Sequence, residues 1–363
     1  MREYETVKKN NLSSSSTSQE AGGSMQQPKG ILVSSSAAAV GVASTTKSAD
    51  FKQTPRFSAD WKIYRVISGH QGWVRSIAFD PTNTWFCTGS ADRTIKIWDV
   101  ASGALKLTLT GHIGQIYGLA VSPHNTYMFS AGDDKEVKCW DLEYDKVIRS
   151  YHGHLSGVHC LALHPTLDNV MFTGGGDSVC RVWDVRTKTQ IHVLSHSNTV
   201  LSLLARPVDP QIVTGSQDST IKFWDLRYGK TMATLTHHKK SVRAMVQHPS
   251  EQHCFASASP DNVKKFSLPK GELLQNMCCQ QQKTMINAMA VNQDGVMATA
   301  GDDGSLWFSD WNSGRNFQQA KTIPQPGSLS SEASIYALSY DMTGSRLVTC
   351  EADKTIKMWK EVK

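Results

Sequence analysis

Residues 105–141 read LKLTLTGHIGQIYGLAVSPHNTYMFSAGDDKEVKCWD, and this stretch decides the fold class. Four short apolar segments follow one another in it, namely LKLTLT, IYGLAV, YMFSAG and EVKCW. The polar turn sequences SPHN and GDDK separate the last three segments. Short apolar segments at intervals of about ten residues, divided by turns, predict an antiparallel sheet of four strands.

The same pattern recurs along the chain, and three sets of residues recur with it. A Trp-Asp pair, or a derivative of it, ends each unit at intervals of 42, 43, 41, 42, 43 and 50 residues. Its first positions are Trp98, Trp140, Trp183, Trp224, Phe266, Ser309 and Trp359. A Gly-His pair or a derivative begins the first five units, and prolines spaced 42 residues apart mark a common turn from Pro81 to Pro249. Seven such units predict an all-β fold, a single seven-bladed β-propeller.

The repeats start near residue 59, and this divides the chain in two. Residues 1–58 contain twelve Ser and five Thr with few large apolar side chains, so we expect a low-complexity, disordered N-terminal tail. Residues 59–363 are expected to form the propeller. Its last unit lacks an outer strand, and the segment WKIYRVIS at 61–68 has the spacing of one. We expect this segment to complete the last blade and close the ring, which removes an exposed sheet edge.

Composition and charge exclude several classes of protein. The chain has 38 Lys and Arg against 32 Asp and Glu, a formal net charge of +6, of which residues 1–58 and residues 59–363 each carry +3. This small surplus predicts no strong, sequence-independent binding of nucleic acid. No run approaches 18 apolar residues, which argues against a membrane span. The eight cysteines never form a C-x-x-C pair, and this usage is typical of a reducing compartment.

The repeats resemble the WD-repeat pattern over residues 61–363. The segments GHQGWVRSIAFDPTNTWFCTGSADRTIKIWD (69–99), GHIGQIYGLAVSPHNTYMFSAGDDKEVKCWDLE (111–143) and EADKTIKMWKE (351–361) are similar to the pleiotropic regulator family of WD-repeat pre-mRNA splicing factors. The resemblance implies a non-enzymatic scaffold of the spliceosome, within an assembly like the nineteen complex. It also implies a nuclear location and splicing-complex proteins as partners.

A polar set that contains the ingredients of a Ser-His-Asp site occurs in the first and fourth units, and it recurs with Gly in place of Ser in the second and third. A catalytic triad occurs once in a chain, so recurrence predicts a buried hydrogen-bond network that runs from the Gly-His loop through the turn Asp to the Trp. Its members are His70, Ser90, Asp92 and Trp98, then His112, Asp134 and Trp140, then His154, Asp177 and Trp183, then His196, Ser216, Asp218 and Trp224. We therefore expect no catalytic site, cofactor or small-molecule substrate. Histidines one blade apart cannot converge on one ion, so no metal site is expected either.

The rim built from the Gly-His loops and the Asp turns, here called the top rim, is the expected binding surface. Loops on a rigid scaffold are where binding concentrates, and aromatic and Arg side chains are the usual anchors of protein interfaces. The candidates are Trp73, Arg75, Tyr117, His159, Arg243 and Tyr336. The alternative is that some of these side chains only pack against neighbouring blades.

The segment at 237–243, HHKKSVR, is the most basic short stretch of the propeller. Lys239, Lys240 and Arg243 are candidates for contact with RNA phosphates or with an acidic protein segment. RNA is the secondary partner here, and a solvated loop is the alternative.

Two consecutive units end in Trp-Asp-x-Arg, at Arg186 and Arg227. This box resembles the one by which some WD-repeat proteins dock onto the adaptor of cullin-based ubiquitin ligases. The alternative function is therefore that of a substrate receptor of such a ligase, and an ordinary surface role for both arginines is the simpler explanation.

Overall fold

The computed structural model describes residues 60–124, 126–277 and 284–362. Within these ranges the chain forms 28 β-strands, one short 3-10 helix at Ser330–Ala333 and no α-helix. The strands make seven antiparallel sheets of four strands each, so the predicted seven-bladed β-propeller is confirmed. No helix in the described ranges is long and apolar enough to cross a membrane. The disordered tail predicted for residues 1–58 lies outside the described residues.

Each sheet is one blade, and in blades 1 to 6 the strands follow one another from the innermost to the outermost. Blades 1 to 3 contain β2 (Val74–Phe79), β3 (Trp85–Ser90), β4 (Thr94–Asp99), β5 (Leu105–Thr110), β6 (Ile116–Val121), β7 (Tyr127–Gly132), β8 (Glu136–Asp141), β9 (Lys146–His152), β10 (Val158–Leu163), β11 (Val170–Gly175), β12 (Val179–Asp184) and β13 (Gln190–Ser195). Blades 4 to 6 contain β14 (Val200–Ala205), β15 (Ile212–Ser216), β16 (Ile221–Asp225), β17 (Lys230–Leu235), β18 (Ala244–Gln247), β19 (Cys254–Ala258), β20 (Val263–Ser267), β21 (Leu273–Met277), β22 (Ile286–Val291), β23 (Val296–Gly301), β24 (Ser305–Asp310) and β25 (Asn316–Lys321). Blade 7 contains β26 (Ile335–Tyr340), β27 (Arg346–Glu351), β28 (Thr355–Val362) and β1 (Asp60–Ser68).

The core lies between neighbouring blades. The second strand of a blade is buried on both faces, as in β3, whereas the outer strand β5 is mostly exposed. Phe86 and Trp98 of blade 1 pack with Ile356 and Met358 of blade 7, so each blade buries its apolar face against the next. The innermost strands contact each other in sequence around the ring, from β2 to β26 and back to β2, and they surround a central channel.

The Gly of each Gly-His pair is required by the Trp that ends the same unit. A Cβ atom on Gly69 would lie 2.9 Å from the Trp98 ring, and one on Gly111 would lie 3.0 Å from the Trp140 ring. At these two positions a side chain would force the indole to shift. The recurring Gly and the recurring Trp of such a unit therefore belong together, because the indole packs directly against the glycine. In blade 4 Ser195 stands before the His, and Trp224 is still buried there.

The segment expected to act as an outer strand is β1, and it pairs antiparallel with β28 in the sheet order β1-β28-β27-β26. Its Trp61 is buried and stacks on Phe308 of blade 6 at a centroid distance of 5.5 Å, while Tyr340 of blade 7 meets the same ring edge-on at 5.6 Å. The backbone N–H of Trp61 donates to Gln318 at 2.7 Å, and the Gln318 amide returns a bond to the Trp61 carbonyl at 2.8 Å. The strand thus bonds to blades 6 and 7 together. The domain boundary near residue 59 stays a prediction.

Candidate protein-binding site

A hydrogen-bonded chain joins the loop, the turn and the inner strands of blade 1. Nδ1 of His70 lies 2.8 Å from Oδ2 of Asp92, and Nε2 of the same ring lies 2.8 Å from Oγ1 of Thr88. Nε1 of Trp98 also donates to Oγ1 of Thr88, at 2.8 Å. Because the carboxylate only accepts, Nδ1 of His70 donates to Asp92. In the neutral ring Nε2 then accepts from the Thr88 hydroxyl, whose oxygen accepts from the Trp98 indole.

The predicted network member Ser90 contacts the turn of blade 1. Ser90 does not lie between the histidine and the tryptophan. Its Oγ donates to the carbonyl of Gly72 at 3.0 Å and accepts from the backbone N–H of Asp92 at 3.1 Å, so it braces the turn instead. Ser216 braces the turn of blade 4 in the same way, with the Asn198 carbonyl at 3.0 Å and the Asp218 N–H at 3.2 Å.

The hydroxyls that do link histidine to tryptophan each precede the Trp by ten residues. They are Thr88, Ser130, Thr173 and Thr214. These four hydroxyls were not predicted, although their constant spacing of ten residues from the Trp is visible in the sequence. Each of these hydroxyls is fully buried and receives an indole N–H, so it has no access to a substrate and acts as a structural group.

The contact between histidine and carboxylate loosens from blade 1 to blade 4. The Nδ1 to carboxylate distances are 2.8, 2.7, 3.0 and 3.5 Å in blades 1, 2, 3 and 4. In blade 1, burial by itself would raise the pKa of the Asp92 carboxyl, but hydrogen bonds from His70 and Thr94 lower it below its usual value. In blade 4, burial lowers the pKa of the His196 imidazole to about 4, so this ring is neutral at neutral pH.

The structure brings four of the six top-rim candidates into one cluster. The guanidinium carbon of Arg75, on β2, lies 4.6 Å from the ring centroid of Tyr336, 5.2 Å from that of Tyr117 and 5.2 Å from that of Trp73. His159 extends the cluster, because its ring centroid lies 5.0 Å from that of Tyr117. Burial lowers the pKa of His159, which favours the neutral imidazole. The cluster spans blades 7, 1, 2 and 3.

The sixth candidate, Arg243, lies on another part of the channel wall. Its Nη1 donates to Oδ1 of Asn287 at 2.9 Å, and the Asn287 amide in turn donates to the carbonyl of Ile335 at 3.0 Å. Arg75, Tyr117, His159, Arg243 and Tyr336 all line the channel, which encloses a cavity of about 430 Å³. These side chains therefore combine packing between blades with a place on the channel wall.

The two lysines of the basic loop are exposed and separate from Arg243. The ammonium of Lys240 lies 3.9 Å from Oδ1 of Asp261, and the backbone N–H of Lys239 donates to Oδ2 of Asp261 at 3.1 Å. Asp261 thus offsets part of the positive charge of the loop.

Arg186 and Arg227 are exposed at the opposite rim, where the third strand of each blade turns into the fourth. Their backbone N–H groups donate to Asp184 at 2.9 Å and to Asp225 at 2.8 Å. Neither guanidinium forms an ion pair within the part of the chain that the structure describes. The turn holds the backbone of each arginine and leaves its side chain available.

One group of metal-ligand residue types lies close together in the described ranges, at Glu251, His253 and Cys254. Glu251 already accepts a hydrogen bond from the Trp311 indole at 3.0 Å and lies 3.8 Å from the Lys265 ammonium. Burial raises the pKa of the Cys254 thiol, which disfavours the thiolate that a metal needs. The group therefore serves as a link between blades rather than as an ion site.

The closed ring of seven blades and its repeated His, hydroxyl and Trp chain define a WD-repeat β-propeller. In agreement, the family model "WD domain, G-beta repeat" matches residues 61–99 and 323–360, and the model "Nucleolar protein 10-like, N-terminal domain" matches residues 114–306.

Three relatives show which WD-repeat family this is. The chain is 74% identical to Protein pleiotropic regulator PRL2 of Arabidopsis thaliana over 307 residues, which are 85% of this chain and 64% of that protein. It is 50% identical to Pre-mRNA-splicing factor PRP46 of Candida glabrata over 310 residues, 85% of this chain and 72% of that protein. It is 51% identical to Pleiotropic regulator 1 of Homo sapiens over 319 residues, 88% of this chain and 62% of that protein. The chain belongs to the pleiotropic regulator and PRP46 family, as the sequence resemblance predicted, and it spans less than two thirds of the length of the Arabidopsis and human relatives.

Proposed function

We propose that this protein supports pre-mRNA splicing in the nucleus as a non-enzymatic scaffold of the spliceosome, within an assembly like the nineteen complex. One observation carries the proposal, namely that the similarity to a protein named Pre-mRNA-splicing factor PRP46 extends over 310 residues, which are 85% of this chain. The scaffold would act through several protein contacts, because a propeller offers two separate rims. The fold alone does not determine a function, so the similarity to the splicing factor has to carry the proposal.

The top rim is the surface that best suits such contacts. It combines Trp73, which is 39% exposed, with the Arg75 and Tyr336 side chains at the mouth of the channel. Aromatic and Arg side chains on a rigid scaffold supply most of the binding energy of protein interfaces. The small charge surplus of the ring favours protein partners over a long polyanion.

Affinity purification of the full chain from nuclear extract, followed by mass spectrometry, tests the proposal directly. We expect splicing proteins among the specific partners. Trp73→Ala should lose some of them. Tyr228→Ala, which removes an exposed aromatic ring from the opposite rim, should lose other partners or none. Recovery of partners that include no splicing protein would refute the scaffold role.

A second candidate function is docking onto the adaptor of a cullin-based ubiquitin ligase. The observation that favours it is that Arg186 and Arg227 lie at the same turn of neighbouring blades, both exposed and with their backbones bonded by Asp184 and Asp225. We expect binding of the purified adaptor to be lost in the double variant Arg186→Ala and Arg227→Ala. Binding that survives in this variant would count against the function.

Contact with RNA is the secondary proposal for the basic loop. Replacing the basic residues by glutamate tests this contact. Arg243 lines the channel and the two lysines do not, so one variant carries Lys239→Glu with Lys240→Glu and a second variant carries Arg243→Glu. Loss of RNA crosslinking in the double lysine variant alone would support the loop as the contact. Unchanged crosslinking in both variants would exclude it.

A further inference from the structure

The guanidinium of Arg75 has no polar partner within the described residues. It touches only the ring faces of Trp73, Tyr117 and Tyr336, and no carboxylate lies within 4.0 Å of it. Its Nε atom is buried and forms no hydrogen bond. Of the five N–H donors of a guanidinium, the one on Nε is thus buried and unpaired, whereas those of the two Nη groups keep access to solvent and are available to a ligand.

The three rings also fix the orientation of this side chain. Its Nε–H is buried, so the two Nη groups are the donors that can reach a partner at the mouth of the channel. A flat fork of donors matches a carboxylate through two parallel hydrogen bonds. The cluster therefore holds Arg75 ready for an acidic group at the mouth of the channel before any partner arrives.

The same three blades carry a second set of unpaired positive charges. Arg93 in blade 1, Lys135 in blade 2 and Lys354 in blade 7 follow the turn Asp of each blade and have φ values of 69°, 66° and 69°. Residues with a side chain rarely adopt this left-handed conformation, and Gly304 occupies the position in blade 6. All three basic residues are exposed, and none forms an ion pair in the part of the chain described. In blades 7, 1 and 2, basic residues thus occupy turn positions whose backbone conformation favours glycine.

The partner favoured by these observations is a protein segment rather than RNA. Sequence-independent binding of single strands uses free aromatic faces on which bases stack, but Tyr117 and Tyr336 each already hold the guanidinium against a face. On the same rim, Ile113 and Leu155 are 79% and 77% exposed in blades 2 and 3, and they suit apolar side chains.

We propose that an extended acidic protein segment docks on the top rim across blades 7, 1 and 2. One Asp or Glu carboxylate of the segment binds the Nη groups of Arg75, further acidic residues face Arg93, Lys135 and Lys354, and apolar residues contact Ile113. The inference rests on the proposed role of the top rim in binding proteins and adds the chemistry of the partner.

The test is selection of a displayed random peptide library on the full chain, with the Arg75→Met chain as counter-selection. We expect the enriched peptides to share an Asp or Glu beside apolar residues. A synthetic copy of the strongest peptide should lose about tenfold or more in affinity when that Asp or Glu is replaced by its amide, which is the scale of one charge-assisted pair. Arg75→Met and Arg75→Lys should both lose a similar factor, since lysine keeps the charge but not the flat fork.

Arg315→Met is the matched control, because Arg315 is exposed between β24 and β25 at the opposite rim and its loss removes the same charge, so the affinity should stay unchanged. Equal melting temperatures of the Arg75 variants and the wild type would show that folding is intact. If Arg75→Met unfolds the ring, the Asp or Glu to amide change in the peptide tests the same contact on the wild-type chain. Enriched peptides without an acidic residue, no enrichment, or equal binding of the acidic and amide peptides would overturn the proposal. So would an RNA oligomer that binds the same site and depends on Arg75.

Failure of this proposal can be told apart from failure of the scaffold role. If purification of the wild-type chain still recovers splicing proteins while the peptides show no need for a carboxylate, only the acidic segment is refuted. If the wild-type chain recovers no splicing protein, the scaffold role falls whatever the peptides do.

Discussion

Blades 1 to 4 and blades 5 to 7 solve the same packing problem with different polar groups. In blades 1 to 4 a buried hydroxyl binds both a histidine and the indole of the Trp that fills the space between blades. In blade 5 Ser257 binds only His238, at 2.6 Å, because Phe266 occupies the place of the Trp opposite Phe255. The place must be filled by a large ring in both cases, whereas the indole N–H is dispensable.

Blades 6 and 7 depart further, and each uses charged groups. Blade 7 still keeps the indole bond, because Trp359 donates to the buried hydroxyl of Thr349 at 3.1 Å. In blade 6 the indole of Trp311 donates to Glu251 of blade 5 at 3.0 Å. In blade 7 the ammonium of Lys357 donates to Glu351 and to the carbonyl of Ile323, at 2.8 Å for the latter. Burial raises the pKa of Glu351, while Lys357 lowers it. Loss of either member of this ion pair leaves a buried charge without a partner, which destabilises the fold more than the loss of a hydroxyl's partner does. The blades of this ring therefore share their apolar contacts and differ in their polar ones.

The largest expected effect comes from removing β1, because blade 7 has no other outer strand. Deletion of residues 59–68 exposes the edge of β28 and uncovers the ring of Phe308. We expect the melting temperature of the propeller to fall by about 10 °C or more, measured by calorimetry. The single variant Trp61→Ala should cost about 3–5 kcal/mol, as for other buried Trp truncations. Lys62→Ala is the exposed neighbour that should change nothing, and an unchanged melting temperature in the deletion would disprove closure by this strand.

The hydroxyl of blade 1 should matter more than that of blade 5. Thr88→Val keeps the shape of the side chain but leaves Nε2 of His70 and Nε1 of Trp98 without a partner, at a cost of about 2–4 kcal/mol. Ser257→Ala leaves only His238 without one and should cost about 1–2 kcal/mol. Urea denaturation of both variants measures the difference. Equal losses would mean that the indole bond adds nothing and that the two sets of blades do not differ in this respect.

The buried histidine of blade 5 should make the ring less stable in acid. Burial lowers the pKa of His238 to about 4, below the value of about 6.5 in an unfolded chain, so the unfolded state binds the extra proton first as the pH falls. Its contribution is complete above pH 6.5 and declines as the pH falls from there towards 4, by about 2 kcal/mol between pH 7.5 and pH 5.

The measurement is the free energy of unfolding at several pH values for the wild type, for His238→Gln and for His253→Gln. We expect His238→Gln to flatten the profile between pH 7.5 and 5. His253→Gln changes an exposed histidine of the same blade and should leave the profile as in the wild type. A wild-type profile that stays parallel to that of His238→Gln would rule out this titration as a source of the pH dependence.

The repeating blades and the closing strand could be predicted from the sequence, whereas the side-chain contacts between strands and between blades could not. Spacing predicted four short strands in each blade, because each unit repeats the same alternation of apolar segments and turns. Ser90 was predicted in the polar network and Thr88 was not, since both precede the Trp at a fixed distance and only the strand register shows which one faces the indole. The contact of Arg75 with Tyr336 could not be read from the sequence, because blades 7 and 1 meet only when the ring is closed. The top-rim residues were predicted as a group around the central opening, and in the structure five of them touch one another while Arg243 lies apart.

The smallest effect should come from giving blade 1 the arrangement of blade 5. Trp98→Phe removes the indole N–H but keeps a ring between the blades, and Thr88 still binds His70. The cost should be about 1–2 kcal/mol in urea denaturation, less than that of Thr88→Val, because one accepting hydroxyl loses one of two partners and no buried donor is left unpaired. Trp73→Phe is the matched control, since the Trp73 ring is 39% exposed, and it should stay within about 0.5 kcal/mol of the wild type. If Trp98→Phe proves as costly as Thr88→Val, the size of the indole rather than its hydrogen bond holds blades 1 and 7 together, and Phe266 then marks blade 5 as a weak point of the ring.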